Sequence, residues 1–169
     1  MKWPILLLVI FTFFSLHAQN CSYRTNTVSG MDGTRLVITE PIDLVKNFKN
    51  SSLQTWTTIY GDTALVLAFV ITSAEEMPVQ IGDEISLNAK DGKTINLEIY
   101  QNPVQSKSDP KKFTCLTIIN NENIGILENS IIKDVVFTGS SYKQEFSIRN
   151  KKAAGAIARL IVCVKDYLK

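Results

Sequence analysis

Ala64-Leu-Val-Leu-Ala-Phe-Val-Ile71 is the stretch on which the reading of this chain turns. Beyond the N-terminal leader it is the longest unbroken apolar run. It is far too short to cross a bilayer, which takes about 20 apolar residues. Its β-branched and aromatic residues suit a strand with both faces buried.

The flanks support a strand. Upstream, Ser52–Tyr60 places Gln54, Trp56, Thr58 and Tyr60 on one face, and Gly61-Asp62 turns the chain into a hairpin with the apolar run. Downstream, Glu84–Ala89 alternates with Ile85, Leu87 and Ala89 on one side. Thr94–Tyr100 does the same with Ile95, Leu97 and Ile99. Lys90-Asp91-Gly92-Lys93 lies between them, and Asp-Gly is a strong two-residue hairpin signal because glycine tolerates positive φ.

The remaining segments follow the same logic. Cys21–Val28 and Thr34–Thr39 read as strands around a Gly30-Met31-Asp32-Gly33 turn, and Pro41 marks an edge or bend. Ile42–Phe48 fits either a short strand or one helical turn. Ala74–Pro78 and Asn102–Lys112 read as loops. Phe113–Ile119, Ile131–Thr138 and Tyr142–Ile148 read as strands. Asn120 and Asn121 cap a short helix near 121–128, with Glu122 at its positive end. Asn150–Leu168 reads as one helix, since Ala153, Ile157, Leu160, Ile161, Val164 and Leu168 form a single apolar stripe. Lys151 and Lys152 at its positive end are a local conflict, and Gly155 weakens its interior.

The expected fold is therefore mainly β (α+β). It is an antiparallel β-sandwich or curved sheet, with the short helix near 121–128 and the C-terminal helix near 150–168 packed on it. The helix is expected to cover one face of the Ala64–Ile71 strand, and a second layer of strands the other.

Residues 1–18 read as a secretory signal. Lys2 gives the positive start and Ile5–Phe14 the apolar core, and Leu16 and Ala18 stand at −3 and −1 of a cut between Ala18 and Gln19. The expectation is a single β-rich domain over 19–169, secreted or periplasmic, with no stable membrane span once the leader is removed. The formal net charge of the whole chain is +2, too near neutral for a nucleic-acid footprint. The one histidine, His17, falls in the leader. A processed chain thus has no Ser-His-Asp triad, no Cys-His pair and no His-ligated zinc.

Export favours disulfides, and Cys21, Cys115 and Cys163 allow one bridge with one thiol left over. Cys21–Cys163 is favoured because it ties both chain ends to the fold, with Cys115–Cys163 as runner-up. Cys115 sits inside an apolar strand, where a free cysteine behaves as a small hydrophobe.

Several of these segments resemble small secreted β-rich proteins of unknown function from Gram-negative bacteria. Cys21-Ser-Tyr-Arg-Thr-Asn26 and the Asp-Gly turn after it resemble their start, and Ile81–Leu97 is similar to their central hairpin. Asn121–Val136 and the closing helix with Cys163 are similar to the corresponding segments. The resemblance implies an exported β-rich domain with a cysteine near each end, and it implies no activity.

Candidate sites are few. Trp56 and Tyr60, extended by Tyr100, offer an aromatic platform for a sugar or other planar ligand, set against ordinary cross-strand packing. Asp32, Asp62, Asp83, Glu84 and Asp91 are oxygen donors of the kind calcium uses. Their spacing matches no calcium loop, and turn chemistry accounts for Asp32, Asp62 and Asp91. A carboxylate pair of the glycosidase kind needs no histidine, but no pair can be chosen by spacing. Cys115 or Cys163 as nucleophile would lack a base. The apolar stripe of the last helix fits core docking better than a membrane surface, because its polar face is not strongly basic. No catalytic residue, metal ligand or cofactor is assigned. The functional expectation is a non-enzymatic exported module, binding or structural, with a protein or glycan partner. The alternative is a small secreted carbohydrate-binding or carboxylate-dependent hydrolytic protein.

Overall fold

In the computed structural model, residues 21–31, 33–48, 51–61, 64–73 and 78–168 are described. The elements in order are β1 (Tyr23–Val28), β2 (Arg35–Thr39), β3 (Ile42–Phe48), β4 (Ser51–Tyr60), β5 (Ala64–Thr72), β6 (Glu84–Ala89), β7 (Thr94–Glu98), β8 (Val104–Gln105) and β9 (Lys112–Ile119). There follow α1 (Asn121–Leu127), β10 (Ile132–Thr138), β11 (Lys143–Ser147), α2 (Lys151–Ala154), α3 (Ala156–Val164) and a 3-10 turn, Lys165–Tyr167.

Two antiparallel sheets result. The larger runs β1-β2-β4-β5-β9-β8, and the smaller runs β11-β10-β6-β7. The hairpin of β4 and β5 pairs in register from Ser52 with Thr72 to Tyr60 with Ala64. Gly61 leaves it at φ 69°, a left-handed conformation that glycine adopts without Cβ strain. The hairpin of β6 and β7 pairs Ile85 with Leu97 and Leu87 with Ile95, with Gly92 at φ 88° in its turn. β2 and β3 share one edge of β4, β2 along its C-terminal half and β3 along its N-terminal half, so the chain bends at Glu40-Pro41 to follow it. This settles Ile42–Phe48 as a strand.

The two sheets stack as a sandwich. Leu65, Leu67, Phe69 and Ile71 of β5 are fully buried on its inward face, beside Leu53 and Ile59 of β4 and Phe113 and Cys115 of β9. The smaller sheet presents Ile85, Leu87, Ile95, Leu97, Val135 and Phe137 to them. Phe69 meets Phe137 edge to face across the gap, with ring centroids 5.9 Å apart. Polar atoms inside this layer are bonded to backbone: Thr55 Oγ1 donates to the Ala68 carbonyl at 2.9 Å, and Thr117 Oγ1 to the Leu67 carbonyl at 3.0 Å.

The helices correct two expectations. The C-terminal helix is broken at Gly155, which separates α2 from α3. Asn150 caps α2 by accepting from the N–H groups of Lys152 and Ala153, and α2 is four residues long. Lys151 and Lys152 therefore face little macrodipole, which removes the conflict. Secondly, α3 lies on the inward face of the larger sheet, beside the smaller sheet and not opposite it. Ile157, Ile161 and Val164 join the same buried cluster as Val37, Leu53 and Ile59. The expectation that helix and strands cover opposite faces of β5 fails for this reason, and the outward face of the larger sheet is left half-covered.

α1 is capped as expected, with Asn120 Oδ1 accepting from Asn123 N at 2.8 Å. Glu128 just after α1 holds Lys165 Nζ at 2.6 Å, tying α1 to the turn that closes the chain. Within the expected 102–112 loop, Val104 and Gln105 add a short edge strand to β9. The expected 74–78 loop lies outside the described residues apart from Pro78.

Candidate functional site

The outward face of the larger sheet, half-covered among the described residues, is the most distinctive surface. Side chains alternate across a strand, so the register fixes which ones share that face. One cross-strand row is Thr58, Val66 and Ile118, with Ile38 of β2 beside Thr58. The next is Trp56, Ala68 and Leu116, continued by Tyr100, whose N–H donates to the Leu116 carbonyl at 3.2 Å. The third is Asp43, Gln54, Val70, Thr114 and Val104. Asp43, at the β3 end of the third row, is the charged member of the residues named, and the other two rows have none. Val104 is 62% exposed, Ile118 49% and Tyr100 37%, while Trp56 is half-buried among its neighbours.

The aromatic residues singled out in the sequence fall as follows. Trp56 and Tyr100 share this face and row, with Ala68 and Leu116 between them. Three strand spacings of about 4.8 Å put them about 14 Å apart, so they are two separate anchors on one surface and not one stacking platform. Tyr60 closes β4 opposite Ala64, and its side chain lies outside the described residues.

Asp83, an oxygen donor in the sequence, anchors a polar constellation in the interior. It is nearly buried, and its Oδ2 accepts from the Tyr142 hydroxyl at 2.9 Å and from Gln80 N at 2.9 Å. Burial first, and then the Asp83 charge, push the Tyr142 hydroxyl far above its usual range, so it remains a neutral donor. Gly139 packs against this pair: a Cβ there would collide with the Tyr142 ring and come within 2.9 Å of Asp83 Oδ2. The arrangement latches the β10–β11 turn to the start of β6. No sequence signal identifies it, because Asp83 and Tyr142 are 59 residues apart. Tyr142→Phe is expected to destabilise the chain by about 1–3 kcal/mol, since a nearly buried carboxylate loses a donor. Urea unfolding of the two proteins measures this, and an unchanged midpoint would show that the latch is idle.

Burial, and secondarily the Asp83 charge, raise the Cys115 thiol to about 12, leaving almost no thiolate at neutral pH. Cys21 and Cys163 are joined in a disulfide, the favoured pairing, and Cys115 is the buried free thiol. Among the described residues the buried carboxylates are Asp83 and Asp134. The β6–β10 register sets Asp134 opposite Asn88, five residues along β6 from Asp83. That is about 17 Å at strand rise, well beyond the roughly 5–9.5 Å of a glycosidase pair. Three surface clefts of about 260, 310 and 320 Å³ flank β3, and each has one carboxylate in its lining: Glu40, Glu145 and Asp43 respectively. The Asp43 carboxyl is held below its usual range by Gln54, which donates to it at 2.6 Å, and by Lys46.

Among the described residues no three His, Cys, Asp or Glu side chains gather as a metal site. Asp91 serves its own turn, accepting from Lys93 N at 3.2 Å. Glu84 accepts from the Ser86 hydroxyl at 3.0 Å. Asp32, Asp62 and the Ala18–Gln19 cleavage position lie outside the described residues. No helix among the described residues is long and apolar enough to cross a membrane. No protein family, curated protein or solved structure was found to match this chain.

Proposed function

We propose that this chain is an exported, non-enzymatic binding module, and that the outward face of the larger sheet is its binding surface. One observation carries the reading. A sheet face centred on Trp56 carries no charged residue in the rows of Trp56 and Thr58 and is only half-covered. Depletion of charge with aromatic residues present is the compositional mark of an interface centre. Among the described residues, the separation of Asp83 from Asp134 and the single carboxylate in each of the three clefts beside β3 support the non-enzymatic part. The disulfide and the signal-like residues 1–18 support export, and the turn and hairpin segments resembling small Gram-negative secreted proteins agree with it.

The test is site-specific photo-crosslinking in the cell that makes the protein. A crosslinker replacing Ile118 is expected to yield a discrete adduct, whereas one replacing Lys133, exposed on the smaller sheet, is expected to yield none. Trp56→Ala is expected to weaken capture by about thirtyfold, as for a central interface anchor. Identical outcomes at 118 and 133 would refute the surface.

A glycan partner is the second reading, favoured by Gln54 and Thr58, which flank Trp56 on the same face and can bond to hydroxyls. The chain has two tryptophans, Trp3 and Trp56, so the processed form reports on Trp56 alone. A shift of its emission on titration with neutral oligosaccharides supports this reading, and silence across the panel removes it.

A further inference from the structure

We infer that β11 is a self-pairing edge, through which two copies of this chain join antiparallel into one continuous sheet. The inference is independent of the Trp56 face. β11 ends the smaller sheet. Ile148 N donates to the Lys133 carbonyl at 2.8 Å, and Gly139 N to the Tyr142 carbonyl at 3.1 Å. In an antiparallel ladder these bonds alternate, so Gln144 and Phe146 also turn their backbone groups to β10. Lys143, Glu145 and Ser147 turn theirs outward, and all three are exposed. The 310 Å³ cleft opens beside this strand, lined by residues 144–147 and by Val45 across the gap.

An exposed edge alone names no occupant, but the charges on this one do. Among the described residues no carboxylate lies within ion-pair distance of Lys143. The Glu145 carboxylate accepts from the Ser147 hydroxyl at 3.3 Å. Place a two-fold axis at Gln144. Lys143 then stands opposite Glu145 of the second copy, and Glu145 opposite its Lys143. Both pairs consist of outward-turned residues, so each closes two N–H···O bonds, and opposite charges meet directly twice. A one-residue shift of the axis sets Glu145 against Glu145 or Lys143 against Lys143. A two-residue shift toward the C-terminus sets Lys143 against Arg149. Charges on an edge usually prevent pairing; here they disfavour the registers one residue away on either side. Of the other edge strands, β1 carries Arg24 and no acid, β7 carries Glu98 and no base, and β8 carries neither, while Asp43 and Lys46 of β3 already pair with each other at 3.0 Å.

Sedimentation of the chain from Gln19 onward, over about 1 μM to 1 mM, tests the inference. A concentration-dependent dimer is expected, with slowed amide exchange at Lys143 and Glu145. Lys143→Glu or Glu145→Lys alone is expected to weaken it about tenfold or more, since two attractive pairs become repulsive. The double variant K143E/E145K restores opposite charges in the same register and is expected to regain the affinity within about threefold. Misfolding of the single variants would not be rescued in this way. A monomer across the whole range overturns the inference. So does a dimer indifferent to both single reversals, or β11 amides that slow only when a different protein is added.

Discussion

Phe137→Ala is expected to remove about 3–5 kcal/mol of stability, a large share of the roughly 5–15 kcal/mol that holds an ordinary domain together. Phe137 is fully buried on β10. Its ring meets Phe69 of the other sheet at 5.9 Å and Phe146 of its own sheet at 5.8 Å, both edge to face. Truncation leaves a cavity where the sheets meet and removes two aromatic pairs worth about 0.5–1.5 kcal/mol each. Urea unfolding followed by Trp56 emission gives the measurement, with the midpoint moving and the slope unchanged. Phe137→Leu, which keeps most of the volume, is expected to cost less than half as much. A loss below about 1 kcal/mol in the alanine variant would show that the sheets are held together elsewhere.

The second large effect is expected from the disulfide. Cys21 and Cys163 are 142 residues apart, so the bridge removes much of the freedom of the unfolded chain. The chain-entropy model gives about 5 kcal/mol for a loop of that length, and removal of native bridges typically costs about 2–5 kcal/mol. Cys21→Ser is expected to lower the melting temperature by about 10 °C. The variant should still fold, because β1 has a second attachment. The Tyr23 hydroxyl donates to the Cys163 carbonyl at 2.8 Å, and its ring meets Tyr167 edge to face. Arg35 lies over the Tyr167 ring, 5.0 Å from its centre. Scanning calorimetry of Cys21→Ser against the oxidised protein checks this, and coincident melting curves would contradict it.

Local structure was written plainly in the sequence, and long-range structure was not. The β6–β7 hairpin follows from alternation around Asp91-Gly92, because both signals lie within one short segment. The partner of that hairpin, β10, is over forty residues away, and no local pattern assigns it to the second sheet. The two-sided burial expected of β5 holds only in part, since on its outward face Ala68 is fully buried and its neighbours are half-buried. Its inward positions hold Leu65, Leu67, Phe69 and Ile71, and its outward positions Ala64, Val66, Ala68 and Val70. The difference in side-chain size marked the core face, but an all-apolar run conceals it when only polarity is considered. The break falls at Gly155, a weak helix former within an otherwise continuous apolar stripe, and the stripe by itself reads as one helix. Trp56 was found as a candidate because parity within one strand is local. Its uncharged surroundings come from β5 and β9 and required the sheet register. The Tyr142–Asp83 latch joins two loops and left no trace in spacing.

The bond between Cys21 and Cys163 also makes nearly the whole described chain one covalent ring. A protease that cuts once between those two residues therefore releases nothing. The exposed 106–111 segment is the kind of site where such a nick falls. A cut there leaves two pieces of backbone that remain a single molecule, with β9 still hydrogen-bonded to β5 across the break. Separation requires a second cut or a reductant.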